Sequence, residues 1–365
     1  TARSIYESVP VQEKKMEQYL AIDNVCAWPN IKQLDNGEIL AFIFNQPCHL
    51  LWEGTIACHV SSDQGRSWQF RSFPVVNAPG TNRGNVAAGI SRAGKIVVLC
   101  GGWDNAAPAP GGEVQGDIGD DRIKYRQRDK RLLLPVCSIS ADQGRSWEVR
   151  DITLLDVDGS EEWVPYGDII TLANGDLACS MYACVRTAGG GGYQGRGTYF
   201  WQSSDGGLSW HQVSRIAEDG GETALILLPG GKIYAAVRKQ RLDLYESVDE
   251  GRSWRYVSQL TGMAMYPGAF TLLSDGHLLL TYGIRYRGLY GIGGMTMHLA
   301  SGLWNTPMYI VDLADAYDGG YPSNIQLADG RILTAYYCSP NRQQRHYHMG
   351  TVIWSWQKFF PPPKK

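Results

Sequence analysis

The sequence predicts an all-β chain folded as a six-bladed β-propeller, and three observations carry that prediction. One pattern, Ser-x-Asp-x-Gly-x-Ser-Trp, occurs four times, at Ser61–Trp68, Ser140–Trp147, Ser203–Trp210 and Ser247–Trp254. A unit of apolar strand, Gly turn and second apolar strand recurs six times. Composition agrees: 365 residues include 43 Gly, 20 Tyr and 12 Trp but only 8 Phe, which suits short strands, tight turns and amphipathic rings.

The strand pairs read, in order, "NIKQLDNGEILAFIF", "NVAAGISRAGKIVVLC", "DIITLANGDLACSMY", "ALILLPGGKIYAAVR", "AFTLLSDGHLLLTYG" and "NIQLADGRILTAYY". The first four are each followed by the Asp-containing turn, in which a carboxylate accepts backbone N–H bonds and Gly adopts positive φ. After the fifth, "LASGLWNT" is a degenerate form of that turn, and the sixth ends in "GTVIWSW". Each copy supplies about four strands, one blade. Blades are expected at about 24–74, 82–155, 162–217, 221–260, 266–315 and 319–357, within a single domain spanning 1–365. The N-terminal "RSIYESVPV" is expected to complete the sixth blade and latch the ring, and the "PPPKK" tail to fray.

Composition also excludes whole classes. Charged residues make up 19% and hydrophobic ones 44%, unlike a disordered chain. The net charge is −2 and no long basic run exists, so neither nucleic acid nor a membrane surface has an electrostatic footprint. Apolar runs fall short of the roughly 18 residues a spanning helix needs. The eight cysteines form no CxxC pair and sit in strand-like runs, as buried free thiols do. No cofactor is indicated. His346 and His348 alternate in one strand without a third ligand, so no metal site is expected. His59 and His298 read as sheet residues.

Blade geometry locates a candidate site. Counting back nine residues from each Gly of the first hairpin gives the residue that opens the innermost strand. These are Trp28, Asn85, Tyr166, Glu222, Pro267 beside Tyr266, and Tyr321. Aromatic rings, an amide and one carboxylate around an axis form a sugar-binding floor rather than a dry core. The second strands end on the same face, bringing His49, Trp103, Asp104, Arg186, Arg238, Arg285, Arg287 and Tyr337. Long Gly-rich loops at about 103–131 and 186–197 would wall the cleft.

The Asp-box turns on a six-bladed frame resemble the sialidase (neuraminidase) superfamily over roughly residues 24–356. That resemblance implies a glycoside hydrolase removing a terminal acidic sugar from a glycan. It implies Tyr321, in "GGYPSNIQL", as nucleophile and Glu222, in "GGETALILL", as its base. Arg238 matches the second arginine of the family's carboxylate-binding triad, and Arg285 or Arg287 falls near the third. The first is absent, because the family's Arg-x-Pro is here Ala27-Trp28-Pro29, and the Glu that would pair with it is Tyr337. The family's acid/base Asp has no match, leaving His49 or Asp104 to protonate the leaving oxygen. The departures imply an enzyme that is not a standard sialidase. Trp28, Tyr166, Tyr266, Trp103 and Tyr337 are expected to contact the sugar.

Two other readings stand beside this one. A polysaccharide lyase, or a hydrolase of uronate-linked sugars, would use His49 and a Tyr for proton chemistry. A non-catalytic glycan-binding propeller would bind sugar without turnover. A glycan-processing role favours a periplasmic or secreted protein, but no signal peptide is visible and the compartment stays open.

Overall fold

Apolar runs punctuated by Gly fold into antiparallel meanders in which each strand pairs with the next in sequence. The computed structural model describes residues 16–47, 49, 53–104, 131–155, 157, 162–186 and 193–359. Arg3–Val11, Cys48, most of the two long loops (105–130 and 187–192) and the "PPPKK" tail lie outside the described residues. Among the described residues the chain is all-β, with one short helix at Trp356–Phe359, and no helix is long and apolar enough to cross a membrane.

Among the described residues there are four four-stranded sheets and one ten-stranded sheet. The first meander runs through Ala27–Gln33, Ile39–Phe44, Ile56–Ser61 and Gln69–Ser72. The ten-stranded sheet holds two meanders, one starting at Val86–Ile90 and one at Glu162–Thr171, joined only by the parallel pairs Gly167↔Ala87 and Asp168↔Ala88. Further meanders start at Thr223–Leu227 and Met265–Leu272. The last comprises Gly319–Gln326, Ile332–Cys338 and His348–Trp354, and its fourth strand is Glu17–Asp23 from the other end of the chain.

The strand that pairs with His348–Trp354 is therefore Glu17–Asp23 rather than the earlier segment expected. Glu17 anchors it: its carboxylate takes Arg66 Nε at 2.9 Å and also binds Arg331. Arg331 and the Tyr19 hydroxyl hold that carboxyl down at about 2.

Neighbouring sheets are tied through their first and second strands. Ile31 N–H donates to Ser323 Oγ at 3.0 Å, Asn30 Nδ2 to Gly167 O at 2.6 Å, Ser180 Oγ to Thr223 O at 2.6 Å and Asn324 Nδ2 to Thr281 Oγ1 at 2.7 Å. These links bring the starts of the inner strands together.

The repeated turns lock the periphery. In the first, Asp63 Oδ1 accepts the Ser61 hydroxyl at 2.8 Å and the Ser67 amide at 2.9 Å, while Oδ2 accepts the Ser67 hydroxyl at 2.6 Å. Asp142, Asp205 and Asp249 repeat this arrangement. The Gly of each turn has φ between +78 and +105, where a side chain would be strained. Its carbonyl also serves the adjoining sheet: Gly65 accepts Thr351 Oγ1 at 2.9 Å, Gly144 accepts Ser72 Oγ at 2.5 Å and Gly251 accepts Ser214 Oγ at 2.5 Å. Trp147 and Trp254 return the contact by donating Nε1–H to Ser72 Oγ and Ser214 Oγ.

The seven described cysteines are buried. Burial pushes the Cys58, Cys137, Cys184 and Cys338 thiols up to about 12, so they act as small apolar side chains.

Candidate active site

The inner strands do not run straight into the centre. Pairing with the second strand slips between Ala27 and Asn30, Tyr166 and Ile170, Met265 and Gly268, and Gly320 and Ser323. Such irregularities bend a strand and re-aim its side chains. Trp28 and Tyr321 sit at these slips with φ of 46 and 49, a region costly for bulky aromatic residues. Both line one cavity of about 200 Å³. Asn85, Tyr166 and Glu222, also strand-opening residues, line it too, together with His49 and Trp103.

The chemistry centres on Glu222. Tyr321 Oη donates to Glu222 Oε1 at 2.5 Å, and Arg238 Nη1 donates to the same oxygen at 2.6 Å and to Tyr321 Oη at 2.9 Å. Burial, reinforced by the Glu222 charge, raises the Tyr321 phenol above its ordinary range despite two nearby guanidiniums. The phenol is therefore neutral and can lose its proton only in concert with a base. Burial disfavours the Arg238 cation, but Tyr321 and Glu222 outweigh it and keep the guanidinium charged.

A second cluster surrounds Asp318, a residue the sequence reading passed over. Its Oδ1 accepts Tyr337 Oη at 2.5 Å and Arg285 Nη2 at 3.4 Å. Its Oδ2 accepts Tyr347 Oη at 2.9 Å and meets His49 Nδ1 at 3.0 Å. Burial opposes ionisation of Asp318, yet His49, Arg285 and the Tyr337 hydroxyl together hold its carboxyl well below the usual range. Arg285 also donates to Tyr337 Oη at 2.7 Å and Gly319 O at 2.9 Å. The only signal for Asp318 in the sequence was an acidic residue just ahead of the Gly-Gly-Tyr turn.

Several expected contacts fall elsewhere. Arg287 is exposed, because the strand His277–Tyr286 ends before it, whereas Arg285 points inward from that strand's last turns of pairing. Tyr266 is not among the lining residues, and its ring centroid lies 4.2 Å from Arg238 Cζ. Tyr337 is fully buried, hydrogen-bonded to Asp318 and Arg285, and is not among the residues lining the cavity. Asp104 pairs with Thr81 and Arg131 at the end of its strand and is absent from the cavity lining. Neither Arg238 nor Arg285 lines the cavity among the described residues. Trp28 packs edge-on against His49, ring centroids 4.8 Å apart, and stacks on Phe44.

Additional lining residues were missed. Asp168 lies two residues after Tyr166 and binds Lys32 Nζ at 2.7 Å. Tyr182, in the adjacent strand Leu177–Arg186, also lines the cavity. Parity from Tyr166 points to Asp168, but the strand slip obscures it.

No family model matches the chain, and no curated protein matches it. Solved structures do. A protein of unknown function from Dyadobacter fermentans superposes with a TM-score of 0.74 at 19% identity, covering 93% of this chain and 98% of that one. Trypanosoma rangeli sialidase gives a TM-score of 0.65 at 16% identity, covering 91% of this chain but 55% of that one. The Hadza microbial sialidase Hz136 gives 0.67 at 15% identity, covering 92% of this chain and 66% of that one. The chain thus spans little more than half to two thirds of the sialidases it resembles, and the likeness is one of fold.

Proposed function

We propose that this cavity is the active site of an exo-acting glycoside hydrolase built on a six-bladed propeller of the sialidase type, removing a terminal sugar from a glycan. The six-blade reading is supported by the six meanders among the described residues, two of which share one sheet through two residue pairs in parallel register. The observation that carries the function is the Tyr321–Glu222 hydrogen bond of 2.5 Å, clamped by Arg238. A neutral phenol held on a carboxylate in a sugar-sized cavity is a nucleophile with its base already in place.

In the reaction, Tyr321 Oη attacks the anomeric carbon as Glu222 takes the phenolic proton. The bond from that carbon to the leaving oxygen breaks, and His49 supplies the proton that the oxygen needs. Water then attacks the glycosyl–tyrosine, giving its proton to His49, while Glu222 returns a proton to Tyr321. Asp318 acts as a positioning residue, fixing the His49 ring through Nδ1.

The test is a screen of terminal glycosides and oligosaccharides, following reducing-sugar release and absorbance near about 235 nm, where unsaturated lyase products absorb. Hydrolysis without that absorbance is expected. Tyr321→Phe should retain sugar binding and lose about a thousandfold or more in turnover. Wild-type turnover in that variant would overturn the nucleophile assignment, and an unsaturated product would favour the lyase.

A further inference from the structure

We infer that the sugar held in the cavity is one without a carboxylate, in contrast to the acidic sugar that the retained arginines suggest. The inference rests on the cavity being a sugar site and goes beyond it to substrate class. The carboxylates lining the cavity are Asp168 and Glu222, and among the described residues no Lys or Arg lines it. The nearby cations each have a carboxylate of their own. Arg238 is on Glu222 at 2.6 Å, Arg285 on Asp318 at 3.4 Å and Lys32 on Asp168 at 2.7 Å. The three donors of Lys32 are all used, since Nζ also bonds Asn30 Oδ1 at 2.5 Å and Ile31 O at 3.1 Å.

An entering carboxylate would lose its water beside Asp168 and Glu222, whose partners Lys32 and Arg238 are already committed to them. Like charges in such a setting disfavour binding, and a desolvated charge without a partner is costly. The walls suit hydroxyls and ring faces instead. Asn85 contributes an uncharged amide to the lining, and its buried Oδ1 has no hydrogen-bond partner among the described residues. Trp28, Trp103 and Tyr166 supply aromatic surface for a pyranose or furanose ring. The cavity's roughly 200 Å³ lies below the about 300–1,000 Å³ of drug-sized pockets, so it accommodates a single sugar unit.

The experiment measures binding to the whole protein of matched methyl glycosides that differ only in a hydroxymethyl against a carboxylate. The gluco, galacto and manno pairs are used, with N-acetylneuraminic acid as an acidic reference. Titration calorimetry and saturation-transfer NMR are run at about 20 and about 500 mM salt. At least one neutral member should bind about tenfold or more tightly than its acidic twin, with an affinity insensitive to salt. Asn85→Ala should weaken that neutral ligand about three- to tenfold. Tighter or equal binding of the acidic twin, an affinity that falls with salt, or no binding by any member would overturn the inference. Neutral binding without hydrolysis of the corresponding para-nitrophenyl glycoside would instead overturn the hydrolase reading and leave the inference standing.

Discussion

Asp318→Asn removes one negative charge and leaves the shape of the site nearly unchanged. Asp318 is 13% exposed and accepts from Tyr337, Tyr347, His49 and Arg285. The amide keeps one acceptor but turns an NH₂ toward two of these donors and leaves Arg285 without its counter-charge. Breaking a buried ion pair costs about 3–5 kcal/mol; because Arg285 keeps Tyr337 Oη and Gly319 O, the lower end applies, about 3 kcal/mol. For 365 residues the unfolding entropy is about 0.8 kcal/mol/K, so Tm should fall by about 4 °C. The assay is calorimetric melting across pH. The carboxyl's folded pKa is depressed, so its stabilisation is present above the unfolded value of about 3.9 and is lost as pH falls below it. Wild type and variant should therefore differ most near neutrality and converge in acid. Adding Arg285→Met should recover part of the loss, because it removes the uncompensated cation. An unchanged neutral-pH Tm in Asp318→Asn would refute the account of Asp318 as the counter-charge of the cluster.

His49→Ala should lower turnover about 10²- to 10⁴-fold on substrates with poor leaving groups and far less on para-nitrophenyl glycosides, which depart without a proton; equal losses on both would remove His49 from the acid role. Asp205→Ala forfeits the Ser203, Leu208 and Ser209 hydrogen bonds of one peripheral turn, comparable to losing a helix cap. Its Tm should fall by about 1–2 °C while the folded fraction keeps full activity, and loss of activity at an unaltered Tm would contradict this. Ser253 holds the Asp249 carboxyl down at about 2, and Asp63 and Asp205, despite burial, are brought to about 2 by hydrogen bonds led by Ser67 and Ser209. Stability from these turns is present above about pH 4 and lost as pH falls toward 2; an acid titration with no loss of Tm in that window would refute it.

The all-β class, the repeated strand pairs and the Asp turns were legible in the sequence because their physics is local. In each turn the carboxylate reaches groups within four residues, so composition and spacing write the geometry directly. The strand-opening residues were legible for a related reason: six similar hairpins share one count from turn to strand start. That count brought Trp28, Asn85, Tyr166, Glu222 and Tyr321 to one cavity. In the fifth unit the count gave Pro267, and neither it nor the adjacent Tyr266 is among the residues lining the cavity.

The partners of these residues were a matter for tertiary structure. Tyr321 and Glu222 are 99 residues apart in sequence, and His49 and Asp318 are 269 apart. No pattern within a repeat specifies which carboxylate neutralises which cation across such distances. Arg285 and Arg287 have the same parity, and only the point where their strand ends separates the half-buried one from the exposed one. The sequence alone thus determined one cavity-lining residue in each of five of the six repeated units. Closure of the chain decided which charges meet there, because Coulomb energy and desolvation depend on distances that exist only once the sheets are packed together.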